Sequence, residues 1–235
     1  SFLTFVVVGG GFAGIETAGE LMDLLLDATK YYPTIHKDDI RVIVLEALPM
    51  ILPGFNEKLA EFAKEKMIER GIDIKLKTAV TSFDGTEVIV KSLDENTKNS
   101  VDEAKMDVIR TKTLIWTAGV TPVNTIKRSM FKTDKGKVIV NDFLEVPEFS
   151  GVFAIGDCAL FMDPQTNRPF APTAQIAEAQ AKIAAHNLNA LIKNSEKKKF
   201  EYHSKGQMAI IGKRTGIATF LGMNISGFLA WLIWR

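Results

Sequence analysis

The chain has 235 residues, 46% of them hydrophobic, with 29 basic and 28 acidic side chains and a formal charge of +1. That is a globular composition with room for one large or two small cores, and a near-neutral balance without a basic stripe gives no case for a nucleic acid partner. The single Cys158 excludes an internal disulfide or dithiol, and His36, His186 and His203 show no metal-ligand spacing.

Phe5-Val6-Val7-Val8 is a continuous apolar run, as expected of a parallel strand buried on both faces. It leads into Gly9-Gly10-Gly11-Phe12-Ala13-Gly14, a GxGxxG turn, and then into a helical pattern from Ala13 to about Leu26. In such a turn Gly9 allows the sharp bend, Gly11 lets backbone approach a pyrophosphate, and Gly14 lets the helix pack close to the strand. The anion then meets the free N–H groups and positive dipole end of the helix. A second strand, Arg41–Leu45, ends in Glu46, placed to accept hydrogen bonds from an adenosine ribose. Its distance from the glycines exceeds the usual ~20 residues, and the stretch from Tyr31 to Asp39 reads as the insertion responsible. Glu46, with no Arg after it, favours NADH over NADPH, whose 2′-phosphate would meet its charge.

Asn56 can cap a helix carrying Leu59, Phe62, Ala63 and Met67, with Gly71 at its end. Ile72–Leu76, Glu87–Val90 and Thr113–Trp116 read as strands, with a polar, mobile loop from Asp94 to Asp107. The expected result over residues 1–118 is a Rossmann β-α-β-α-β unit with an added antiparallel hairpin. Lys137–Val140 and Gly151–Ile155 are further expected strands, the latter leading into Gly156-Asp157. A helix is expected from Thr173 to Ile192, with a stripe of Ile176, Ile183, Ala184, Leu188, Leu191 and Ile192. Lys197-Lys198-Lys199 reads as a solvated helix end, a membrane contact being the alternative. No internal repeat is found, and no signal peptide is expected from the given sequence. The chain starts without Met in a strand and stops in an apolar run, so a fragment of a longer protein is expected.

Three motifs in order, Val8 to Glu16, Trp116-Thr117-Ala118-Gly119-Val120-Thr121-Pro122 and Val152 to Ala159, resemble the two-dinucleotide-binding-domain flavoproteins. Pro172-Thr173-Ala174-Gln175-Ile176-Ala177 and Gly227 to Trp234 narrow the resemblance to type II NADH dehydrogenases, the single-subunit NADH:quinone oxidoreductases. The resemblance implies an α/β architecture. Residues 1–118 would be the NADH-binding Rossmann domain, 119–190 the second half of an FAD domain, and 191–235 the start of a quinone- and membrane-facing region. It implies FAD and NADH as cofactors, with hydride passing from NADH to FAD and electrons on to a membrane quinone. The protein would lie on the cytoplasmic side of the membrane as a peripheral enzyme, with a homodimer allowed. Sulfide:quinone and disulfide reductases, or a non-catalytic NADH sensor, are the alternatives.

Residue by residue, the resemblance gives Gly156 and Asp157 the flavin ribityl chain, and Ala118 and Gly119 the close approach to both nucleotides. Glu16 would lie near the nicotinamide–flavin contact; on its own it could be an acid favoured near a helix start. The family's first quinone-site glutamine matches Gln175, beside Ile176, but Ala179 stands where the second is expected. Gln180 is rotated about 140° from Gln175 on a helix and cannot substitute. The apolar run at the end is too short to span a bilayer and fits an interfacial segment, with a core or dimer helix as the alternative.

Overall fold

β1 (Thr4–Val8) is paired on both sides, parallel to β2 (Arg41–Leu45) and to β7 (Thr113–Trp116). The computed structural model describes residues 2–94, 106–164, 167–204 and 206–234. These fall into two compact units, one of residues 1–119 with 205–235, the other of residues 120–204.

In the first unit, α1 (Phe12–Ala28) and α2 (Glu57–Glu69) return the chain to a parallel sheet, which β3 (Ile72–Lys75) completes in the order β3-β2-β1-β7. Period-two alternation sends Val7 into one core with Ile15, Met22, Leu59 and Met67 from the helices, while Val6 and Val8 enter a second core on the other face. Asn56 caps α2 by accepting the Leu59 N–H at 2.9 Å, and Gly71 follows the helix at φ +87°.

The second face is covered by a three-stranded antiparallel sheet, β4 (Thr78–Phe83), β5 (Glu87–Ser92) and β6 (Met106–Arg110), rather than by the expected hairpin. Val88 and Val90 supply its buried contribution. β6 is hard to read in sequence because Met106 and Val108 are exposed and only Ile109 turns inward. Most of the expected mobile loop, residues 95–105, lies outside the described residues.

The second unit holds a short α3 (Asn124–Lys127), then β8 (Thr133–Asp134), β9 (Lys137–Ile139) and β10 (Ala159–Leu160) in the sheet order β10-β9-β8. The expected strand Gly151–Ile155 is not one. Only Phe153 forms a bridge, with Glu145, and it is Ala159–Leu160 that pairs with β9. α4 (Ala174–Lys193) matches the expected helix, with Thr173 at its cap accepting from the Ile176 N–H. Its inward face differs from the expected stripe. Leu188 and Ile192 are exposed, whereas Gln180 and Asn187 are buried. Asn187 accounts for this, since its amide donates to the carbonyls of Phe143 and Lys198 and accepts the Lys198 N–H at 2.7 Å. The basic run is correspondingly no helix end: Lys197 pairs with Glu145 and Lys199 with Asp142.

β11 (Gly206–Gly212), β12 (Thr215–Phe220) and β13 (Met223–Gly227) form an antiparallel meander that ends in α5 (Phe228–Trp234). Ala209, Ile211 and Ile217 complete the core around α1 and α2, so residues 205–235 pack as part of the first unit. A boundary between residues 190 and 191 would cut the last turn of α4. Gly19 exists for this docking, because a Cβ there would stand 2.9 Å from the Ile211 backbone.

Candidate functional site: a glycine-walled cleft at the end of the parallel sheet

The Gly9–Gly14 turn begins at the C-terminal end of β1, and each glycine has a distinct environment. Gly9 sits at φ +111°, the left-handed region that favours glycine, and a Cβ there would press on Thr117 Oγ1 and the Ala118 nitrogen. At Gly14 a Cβ would lie 1.8 Å from the Gly9 carbonyl oxygen, so α1 can approach β1 only without one. Gly11, which caps α1, faces open space. No side chain caps α1 and its first turn carries no acid, so its leading N–H groups are left for a ligand.

Glu46, at the end of β2, is 9% exposed. One carboxylate oxygen accepts the Gly10 N–H at 2.5 Å and the other the Leu48 N–H at 2.8 Å. The two bonds fix the carboxylate, and each oxygen keeps a lone pair for a further donor. A residue not singled out in the sequence, Thr117, secures the turn from the other side by donating from its hydroxyl to the Val8 carbonyl at 2.8 Å. In the sequence it stands only as a member of the Trp116–Pro122 motif. Gly9, Gly11, Glu46, Trp116, Ala118 and Gly119 are among the walls of one cleft of about 440 Å³. Phe12 instead packs against Phe55, and Ala13 is exposed on α1.

Glu16 lies past the first turn of α1, so the helix-start explanation does not hold. Its carboxylate accepts the Ile210 N–H of β11 at 3.1 Å. Asp23, two turns on, accepts the Lys213 N–H and pairs with Arg70. The same face of α1 thus holds the meander by its backbone.

In the second unit, Gly156 at φ +66° and Asp157 open a single 3₁₀ turn. The Gly156 N–H donates to Gln180 Oε1 at 2.6 Å, so the glutamine that cannot replace the missing second one supports this turn instead. Asp157 is exposed and its carboxylate carries no bond among the described residues, which suits a hydroxyl-rich ligand. Ile176 is buried in the core and Ala179 packs against it, so neither presents a side chain freely to a quinone. Gln175 is exposed and accepts from the Tyr202 hydroxyl at 3.1 Å. Among the described residues no group of side chains could hold a metal, and no helix is long and apolar enough to cross a membrane.

A parallel sheet with a GxGxxG turn at the start of α1 and a fixed acid after the next strand defines a dinucleotide-binding α/β protein. Sequence comparison places it more narrowly. The model for the pyridine nucleotide-disulphide oxidoreductase family matches residues 3–181, and the chain belongs to that family. Type II NADH:quinone oxidoreductases of Staphylococcus saprophyticus and Staphylococcus aureus are 27% and 28% identical to it over 225 residues, 96% of this chain. The chain spans about half the length of these curated relatives, 53% in each case. NDH2 from Plasmodium falciparum, solved in complex with NADH, has the same fold. The TM-score is 0.85 at 18% identity, over 99% of this chain and 61% of that one. A FAD-dependent pyridine nucleotide-disulphide oxidoreductase from Desulfovibrio vulgaris matches with a TM-score of 0.64 and 21% identity, over 92% and 48% of the two chains.

Proposed function

We propose that this chain is the NADH-binding part, with a portion of the flavin-binding part, of a peripheral membrane NADH:quinone oxidoreductase. The observation that carries the reading is the carboxylate of Glu46, locked by two backbone N–H groups at the edge of a cleft whose floor is the open Gly11. In this reading the α1 N-terminus holds the pyrophosphate and Glu46 accepts from the adenosine ribose diol. A 2′-phosphate would bring like charge against a carboxylate that cannot swing away. Residues 1–119 form the NADH domain, and Gly156-Asp157 faces the ribityl chain of FAD. When bound, FAD supplies the hydride acceptor and the means to pass electrons on to a second substrate.

The contribution of this chain's residues is orientation. Gly9, Gly11 and Gly119 allow close approach without side chains and Ala118 with only a methyl, and α1 fixes the phosphates. Quinone as second substrate is supported by the similarity to type II enzymes over 96% of the chain and by the exposed Gln175. Ala179 leaves that site with one family glutamine instead of two.

Calorimetric titration tests the nucleotide reading. NADH should bind about tenfold or more tightly than NADPH, and Glu46→Ala should narrow the gap. Equal affinities in the unmutated chain would refute it. For the second substrate, Gln175→Leu in the full-length enzyme should raise the quinone KM or lower kcat while leaving stopped-flow flavin reduction by NADH unchanged.

A further inference from the structure

Trp116 closes β7 and stands 58% exposed on the wall of the same cleft. It is the largest side chain there and the one aromatic; the rest of the wall is Glu46, the hydroxyls of Thr78 and Thr117, and glycines, alanines and small aliphatic groups. An indole this open leaves a broad apolar face in water, and covering it is favourable.

Its placement follows from register. β7 pairs parallel with β1 so that Trp116 lies beside Val8, the residue before the glycine turn. Along β7, Ile115 turns toward the core of α1 and α2, and Leu114 toward the core beneath the antiparallel sheet. Trp116 shares Leu114's face. It therefore stands on the side of the β4 residues Thr78, Ala79 and Val80, which also line the cleft. β2 and β7 flank β1 on opposite sides. Glu46 and Trp116 thus lie on either side of the turn that would hold the pyrophosphate.

A dinucleotide with its pyrophosphate on α1 and its adenosine ribose on Glu46 must run its second nucleotide along β7. We propose that Trp116 is a binding residue for that half, with its indole face forming an apolar wall against the nicotinamide nucleotide. The proposal rests on the dinucleotide reading above and adds to it the group that holds the second nucleotide. The first half is held by charge and hydrogen bonds at Glu46 and α1. The second half finds no comparable polar anchor on β7, so an aromatic surface is the natural complement.

The test uses the 235-residue chain with two probes, NADH and ADP, the latter lacking the second nucleotide. Trp116→Ala should weaken NADH about tenfold and change ADP by less than about twofold. Trp116→Phe, which keeps an aromatic face, should recover most of the NADH affinity. Dihydronicotinamide absorbs where tryptophan emits, so NADH should quench the unmutated chain's fluorescence. Trp116→Phe should lose the larger part of that quench although Trp231 and Trp234 remain. An unchanged NADH affinity in Trp116→Ala, or a parallel loss for NADH and ADP, would overturn the proposal while leaving the dinucleotide reading intact. An unmutated chain that binds neither probe overturns both.

Discussion

Gly11 and Gly14 are three residues apart in one motif and should respond in opposite ways to the same added methyl. At Gly14 the methyl would meet the Gly9 carbonyl at 1.8 Å and Thr117 Oγ1 at 2.7 Å, neither of which can move without shifting β1 or β7. Gly14→Ala should therefore destabilise the first unit by about 1–3 kcal/mol or more, the cost of overpacking a closed contact. At Gly11 the backbone is extended (φ −76°, ψ −172°) and the methyl meets nothing within 4 Å. Gly11→Ala should keep its stability within about 0.5 kcal/mol yet lose NADH affinity, because the methyl enters the space assigned to the phosphates. Thermal melts and calorimetry on the two variants separate the roles. A Gly11→Ala chain that binds NADH normally would show that the turn is structural.

At the scale of elements, the second unit is held by buried polar contacts that hydrophobic pattern cannot reveal. Asn187, with no exposed surface, makes three hydrogen bonds that tie α4 to residues 143 and 198. Asn187→Leu would leave those backbone groups unpaired, at a cost of about 2–4 kcal/mol. A midpoint shift in denaturant of the second unit's transition measures it.

Glu145 sets a pH response nearby. Burial raises its pKa, but the Gly151 N–H and the Lys197 ammonium outweigh this and hold it below its ordinary value. The folded state therefore binds fewer protons than the unfolded one. The stability from this contact is complete above the ordinary carboxylate range and is lost as pH falls through the depressed folded value. Scanning calorimetry should show the second unit's transition falling in temperature below about pH 4.5, with a shallower fall for Glu145→Gln.

The same contrast explains what could be read beforehand. The strands β1, β2 and β7, the helices α1, α2 and α4, and the placing of Gly9, Gly11, Gly14 and Glu46 follow from apolar period, caps and glycine spacing, all local signals, whereas Ala118 and Gly119 rest on the family resemblance alone. β6 has one inward-facing residue, Gly151–Ile155 takes most of its hydrogen bonds outside a ladder, and the inward side of α4 is decided by Gln180 and Asn187. Those outcomes depend on partners distant in sequence. The attachment of β11 and the turn after it to α1 through Glu16 and Asp23 is of the same kind, spanning 194 and 190 residues.

For the whole molecule, the question is what the last segment contacts. From Thr215 to Trp234 there is no charged residue, and Lys213 and Arg214 precede the segment. It folds as β12, β13 and α5, with Ile217, Ala218 and Ala230 buried. Phe228, Leu229, Leu232 and Ile233 on α5 are about half exposed, and so are Phe220 and Met223 beside the turn between β12 and β13, while Leu221 in it is 73% exposed. Apolar side chains at a hairpin tip and along a neighbouring helix are costly in water and suit an interfacial surface. If the parent enzyme delivers electrons to a membrane quinone, this surface should bind lipid. Deleting residues 225–235 would remove the β13 pairing and the buried Ala230, so point changes are the cleaner experiment. Leu229→Ser, Leu232→Ser and Ile233→Ser together remove about 3 kcal/mol of available apolar burial, which is about a hundredfold in partitioning. Co-sedimentation with vesicles should fall accordingly in the triple variant, while NADH affinity stays unchanged because the cleft is built from other residues. Binding to anionic vesicles should also weaken with added salt, through Lys213 and Arg214. If the triple variant sediments with vesicles as the unmutated chain does, the exposed face of α5 serves a protein contact instead.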